Sequence, residues 1–332
     1  MRYLVICLLA LHILSSCGGG GIDRVIEPES VEVSVHRIDE GIMGNESDSI
    51  LHLRLQKDYP EFYPLYFSDI LQLGDVRSPS AHEQLELFRS DPIMRDLHLA
   101  IDSLLDIEEE GINEQLRDAL GRYAAMFPDS DVPEVYLMNT GFNYGIYPIR
   151  DVLGVGAEFY LGAEHSMLQG LPPDLFPGYV RNKMKPEHLV PNALRGMLLV
   201  RLQQRLPARS LLDHMVFYGK VMYILDLMLP NRPEEQQFSF TEDEYYWCTE
   251  NRSAIWRAMV KEELLYETDR KTLSKWLDRG PFTQGFPEDS PGELGIFLGK
   301  EMVIDFMEDN PEVSPAELVD IPVEQVLEAF RP

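Results

Sequence analysis

PNALRGMLLVRLQQRLPARSLLDHMVFYGKVMYILDLMLP, residues 191–230, holds two apolar helices in series. The second, Ser210 to Leu229, has almost no polar face: Leu211, Leu212, Met215, Val216, Phe217, Val221, Met222, Ile224, Leu225 and Met228 point in every direction. A helix that is apolar all round is either the centre of a core or a membrane span. Asp213, His214, Lys220 and Asp226 interrupt this one, and only about 20 residues separate Pro207 from Pro230, so the pattern predicts a core centre rather than a bilayer segment. The rest of the chain reads as a predominantly helical α+β fold, with a small sheet of about three strands packed on that helical core.

Upstream, Val31, Val33 and Val35 alternate with Glu32, Ser34 and His36, the period of a half-buried strand. Asp91-Pro92 reads as an N-cap with proline at the first helical position. It starts one helix through Leu104, and a second runs from Asn113 to Met126. Glu108-Glu109-Glu110 lacks the alternating oxygens and central glycine of a calcium loop and reads as a solvated helix end. Val135-Tyr136-Leu137-Met138 and the alternation Val155, Ala157, Phe159, Leu161 give two more strands, joined through Gly141–Gly145. The proline-rich stretch from Gly170 to Pro191 reads as an ordered connection without long elements. Arg195, Arg201 and Arg205 mark the solvated side of the first apolar helix. Ser210 with Asp213 and Thr241 with Glu244 form capping pairs, the latter opening a helix that carries Trp247 through Leu265, and Ser314-Pro315-Ala316-Glu317 caps a helical tail.

The chain carries 29 basic against 56 acidic residues, a formal charge of −27. Such a surface repels phosphate backbones, which argues against nucleic acid as a partner. Arg2 precedes an apolar run from Leu4 to Leu14 of secretory-signal length, closed by Leu14-Ser15-Ser16-Cys17. That ending resembles a bacterial lipobox, in which the cysteine becomes the acylated N-terminus; an uncleaved anchor helix with a chance cysteine is the alternative. The expected division is a signal peptide over 1–16, a lipidated glycine-rich tether over 17–26 that includes Gly18 to Gly21, and a single domain over 27–332. Gly18 is not the aspartate that marks inner-membrane retention, so delivery to the outer membrane, facing the periplasm, is expected. With Cys7 in the leader and Cys17 acylated, Cys248 is left alone and no internal disulfide can form. Asp243, Glu244 and Glu250 around it favour a buried apolar role over a reactive thiolate.

A few strands followed by a long apolar helix is also the order of elements in zincin peptidases, whose zinc needs two histidines one turn apart. The histidines after the leader, at 36, 52, 82, 98, 165, 188 and 214, contain no pair four apart, and the helix from Asn192 to Leu206 contains none. No metal and no cofactor is therefore expected. Asp213, His214, Tyr218 and Lys220 form a candidate pocket, in which burial and the carboxylate would shift the histidine or lysine; a core network holding helices in register is the competing reading. His165, beside Glu164 and Ser166, reads as surface loop.

Several motifs then converge. Tyr160-Leu161-Gly162 is followed by His165 and Gln169-Gly170-Leu171-Pro172. Leu211-Leu212-Asp213-His214-Met215 leads to Gly219-Lys220. Trp247-Cys248, Gly280-Pro281-Phe282-Thr283, and Ser290-Pro291-Gly292 before Gly295 and Gly299 complete the series. In this order, with the lipobox, they resemble the gliding-motility lipoprotein GldB family. The resemblance implies an envelope lipoprotein of Bacteroidetes type, linked to gliding motility and type IX secretion, with the membrane (through its lipid) and other envelope or motility proteins as partners. It also implies a distant, ligand-free likeness to predicted zinc peptidases, with Tyr218 where a third ligand would stand. A non-catalytic role is expected. The alternative is a hydrolase or small-ligand binder using Asp213, His214 and Lys220 with the loop Asp278 to Gly292.

Overall fold

In the computed structural model, residues 24–149, 151–205 and 209–332 are described; the leader, Cys17 and the Gly18–Gly21 run lie outside them. Strand β1 (Val35–Arg37) leads into α1 (Ile38–Met43), α2 (Asp48–Asp58), an aromatic helical segment over 62–70, α3 (Ala81–Ser90) and α4 (Pro92–Met126). Strands β2 (Glu134–Met138), β3 (Ile146–Ile149) and β4 (Val152–Gly156) follow. After short turns come α5 (Leu189–Leu202), α6 (Leu211–Met228), α7 (Glu234–Phe238), α8 (Glu242–Lys261), α9 (Arg270–Leu277), α10 (Leu294–Asp309), α11 (Pro315–Asp320) and α12 (Val323–Ala329). The arrangement is the expected helical α+β one. Helix α6 is its hub, touched by α4, α5, α7, α9, α10, α11 and α12.

The sheet has four strands rather than three, in the order β1-β2-β4-β3; β1, β2 and β4 are parallel and β3 closes the edge antiparallel to β4. Both faces are covered, as a largely parallel sheet requires. Along β2, Val135 and Leu137 enter the main helical core, while Tyr136 and Met138 enter a second, aromatic core with Phe62, Tyr63, Tyr66 and Phe67.

Several expected boundaries move. The first strand begins at Val35, where pairing with Val135 starts, and Val31 and Val33 precede it. Strand β4 stops at Gly156, and Ala157–Tyr160 winds into a 3₁₀ turn instead of continuing the alternation. The helices expected on either side of Glu108–Glu110 are one 35-residue helix, so that run lies inside α4 and is not a helix end. A glycine inside a helix costs about 1 kcal/mol relative to alanine. Burying Leu105, Ile112 and Leu116 on one stripe contributes roughly 2 kcal/mol each, so continuity across Gly111 wins. Helix α8 ends at Lys261, and Leu264 and Leu265 fall in a separate 3₁₀ turn after Glu263 takes a left-handed conformation. Arg24 and Ile26, in the expected tether, are held against the body: Arg24 donates to the Val313 and Pro311 carbonyls, and the Ile26 carbonyl accepts from Arg122.

The 3₁₀ turn after β4 has a cause. Fully buried Glu158 turns back to accept from the Thr140 amide (2.8 Å), the Phe142 amide (3.0 Å) and the Thr140 hydroxyl, fixing the loop between β2 and β3. Burial pushes its carboxyl up to about 7, against those donors. An acid raised in the folded state costs nothing below its unfolded value of 4.5 and the full amount above about 7, on the order of 3 kcal/mol. Glu158→Gln keeps an acceptor for the amides and removes the charge. Its stability, measured by urea unfolding, is therefore expected to fall less than the parent's as pH rises through this window; parallel profiles would contradict the assignment.

Candidate functional site

The four residues of the expected pocket do not converge. Asp213 is the N3 residue of a complete capping box: it accepts from the Ser210 amide (2.9 Å) and the Arg209 amide (3.0 Å), while its own amide donates to the Ser210 hydroxyl. Burial works to raise its carboxyl, but these donors hold it below the usual range. His214 Nδ1 sits 2.8 Å from the Ser210 carbonyl. Lys220 donates to the Ile321 carbonyl (2.6 Å) and the Val319 carbonyl (3.2 Å), capping the C-terminal end of α11; burial brings it down to about 8. Asp213 and Lys220 line a cavity of about 380 Å³ with Phe217 and Val319, which His214 and Tyr218 do not line. Asp213→Ala is accordingly expected to cost about 1 kcal/mol through loss of the cap, read as a shift in urea midpoint.

Tyr218 lies elsewhere, within electrostatic reach of Arg195, Asp278 and Glu293. Those residues belong to a polar cluster at the N-terminal end of α10. Arg195 is buried, contrary to the expectation of a solvated side, because α5 turns it inward onto Glu293, at 2.8 Å and 3.5 Å for its two guanidinium nitrogens. Glu293 is only 3% exposed and adopts φ 60°, ψ 22°, a left-handed conformation that a non-glycine residue keeps only where the surroundings impose it. Burial opposes its charge, but Arg195 and Arg279 outweigh burial and hold the carboxyl below its ordinary value. Arg279 lies 3.7 Å from the same oxygen and donates to Asn192 Oδ1 (2.9 Å), an atom that also accepts from the Ser239 hydroxyl. Tyr160 likewise reaches Asn192.

Beside this cluster lies a cavity of about 120 Å³ lined by Tyr179, Lys183, His188, Phe240, Glu244 and Pro281, among others. Lys183 Nζ stands 4.9 Å from the centre of the Phe240 ring. Burial pushes this ammonium below its ordinary value; Glu244 and Glu293 counter that, and Arg279 and Arg195 add to it. His188, lowered by burial, places Nδ1 2.8 Å from the Lys183 carbonyl. The strained glutamate, the two arginines around it and the partly buried lysine gather beside one small cavity.

The sequence reading missed Lys183, Arg195, Arg279 and Glu293. Arg195 carried a signal, a charge inside an otherwise apolar helix, like Lys300 in α10. Lys183 and Arg279 lie on connections whose approach depends on the fold. His165 opens the short helical turn Ser166–Gln169, its Nδ1 accepting from the Met167 amide. Cys248 is buried, and burial raises its thiol far above the reactive range. Among the described residues no group of three or more His, Cys, Asp or Glu side chains is placed to hold a metal ion.

No curated protein and no solved structure matches the chain. The family described as gliding motility protein GldB matches residues 22–331, nearly the whole of the 332-residue chain. The polypeptide built around α6, with its Arg195–Glu293 pair, belongs to the gliding motility protein GldB family.

Proposed function

We propose that the protein is a lipid-anchored, non-catalytic component of the gliding-motility apparatus and its associated type IX secretion machinery. In this reading an acylated Cys17 holds it at the periplasmic side of the outer membrane, and it works through contacts with other envelope proteins. Family membership across residues 22–331 carries the process. The lipobox ending at Cys17 supports the anchor, and no helix among the described residues is long and apolar enough to cross a membrane. The strongly acidic body would be repelled by anionic headgroups, which suits attachment through a lipid rather than through the protein surface. Support for a non-catalytic role comes from the commitments of the candidate groups: Asp213 and His214 serve a helix start, Lys220 a helix end, and Arg195 and Glu293 each other.

The test combines metabolic labelling with an alkyne fatty acid and deletion of the gene. Labelled full-length protein in the outer-membrane fraction, released and unlabelled in Cys17→Ala, is expected, together with impaired secretion or surface movement on deletion. An unlabelled parent protein, or normal secretion and movement without it, would defeat the reading.

A further inference from the structure

Lys183 is a partly buried cation with no ion pair among the described residues, in a chain where acids outnumber bases nearly two to one. Among the described residues no carboxylate or carbonyl reaches its Nζ, and its contact is the face of Phe240. Every other charge facing the cavity is accounted for. Glu244 accepts from the Thr241 amide at 2.8 Å as part of a capping box. Glu293 is held by Arg195, with Arg279 at its edge. Lys185 is 3.8 Å from Glu187, and His188 is turned to a backbone carbonyl. What remains is one full positive charge on Lys183 and the unspent part of Arg279, whose guanidinium is partly open to solvent. Taking an ammonium out of water without a partner is costly, and an anion entering the cavity offsets that cost.

We propose that the cavity between Lys183, Phe240 and Pro281 is a socket for a single carboxylate group. The carboxylate accepts from Lys183 Nζ, and its short apolar stem lies against Phe240 and Pro281; Arg279, which does not line the cavity, precedes lining Gly280 in the chain. The volume of about 120 Å³ equals on the order of four waters of about 30 Å³ each, enough for an end group and too little for a large ligand. A phosphate dianion fits the charge less well, because its second charge would face Glu244 across the same cavity. The carboxylate can belong to a free small acid or to the C-terminus of a polypeptide. The site is lined by the folded body alone and does not depend on membrane anchoring.

Saturation-transfer NMR on the full chain with sodium acetate tests this. The acetate methyl signal is expected in the parent protein, to fall about tenfold or more in Lys183→Met, and to persist in Lys185→Met; a one-charge contact of this kind is worth about 1.4 kcal/mol or more by that ratio. In the parent protein alone, acetate binding should weaken as pH rises toward the ordinary lysine value of about 10.4, which keeps the test decisive if Lys183→Met does not fold. Trialanine displacing acetate where its C-terminal amide does not identifies a chain terminus as the source; no displacement by trialanine identifies a small acid. Acetate binding that survives Lys183→Met, is indifferent to pH, or yields more readily to inorganic phosphate than to acetate itself overturns the proposal.

Discussion

Gly299→Ala is expected to cost more than about 3 kcal/mol, beyond the usual range for overpacking and a large part of the 5–15 kcal/mol a domain holds. Alanine normally improves a helix interior by about 1 kcal/mol over glycine, so the sign has to be argued. Helices α6 and α10 cross at Gly219 and Gly299 with their backbones in contact. A Cβ on Gly299 would fall on the Met215 carbonyl, 2.5 Å from its carbon and inside its oxygen, and one on Gly219 would lie 2.7 Å from the Lys300 amide nitrogen after meeting the Gly299 carbonyl. These obstacles are main chain, which cannot rotate away as a side chain would. The hub helix would have to separate from α10, its most extensive neighbour, along the whole crossing. Gly111→Ala in α4 is the control: its Cβ would meet nothing nearer than the flexible end of Gln115 at 3.9 Å, so that variant should gain about 0.5–1 kcal/mol. Opposite shifts in the urea midpoint are the expected result, and a Gly299→Ala protein within about 1 kcal/mol of the parent would show that the crossing is not what holds α6 in place.

The parts of the fold legible in the sequence were those written in local chemistry. Ser210 with Asp213, Thr241 with Glu244, Ser314 with Glu317, and Asp91 before Pro92 all cap the helices they were expected to cap. The absence of a polar face on α6 left a core centre or a membrane span, and Asp213, His214, Lys220 and Asp226 within it pointed to the core. The sheet was less legible, since β1 pairs with β2 about a hundred positions later and β2 skips β3 to pair with β4, and nothing local specifies either partner. Glu158 was hidden for the same reason: a glutamate in an alternating run reads as strand until the amides it must reach are known. Arg195 could have been separated from its neighbours by angle. Six residues turn a helix by about 240° net, so Arg195 and Arg201 cannot share a face, whereas Arg201 and Arg205 can. Its partner Glu293 was out of reach, because the turn that delivers it depends on a left-handed residue with no glycine to announce it. The site lies where loops and helix ends meet, so it appears only once the chain is folded.

Lys300→Met is expected to cost about 3–5 kcal/mol near neutral pH, and to cost more as pH rises. Lys300 is wholly buried, with Nζ 2.7 Å from Asp226 Oδ2 and 2.7 Å from Glu234 Oε2. Burial disfavours the ammonium, but the two carboxylates outweigh burial and raise it above its ordinary value. They divide the one cation unequally. Glu234, despite burial, is held below the usual range by Lys300 and by the Tyr245 hydroxyl, which donates to it. Asp226 is pushed by burial up to about 6, with Glu234 adding to the shift and Lys300 and Gln237 opposing it. A carboxyl raised in the folded state costs nothing below its unfolded value and the full amount above its folded value, a window from 3.8 to about 6 for Asp226. Removing the ammonium raises both carboxyls in the folded protein and extends that window upward. The penalty of the substitution should therefore grow as pH rises through it. Toward acid the gap narrows from both sides, since the variant loses its buried charges while the parent keeps a buried ammonium whose counter-charges are disappearing. Urea midpoints of parent and variant at about pH 5 and about pH 8 read this out; an equal penalty at both would mean that Asp226 and Glu234 do not carry it. Adding Asp226→Leu and Glu234→Met to Lys300→Met should then recover most of the loss, because replacing a buried ionic set by apolar groups of similar volume is often near neutral, whereas removing one partner strands the others.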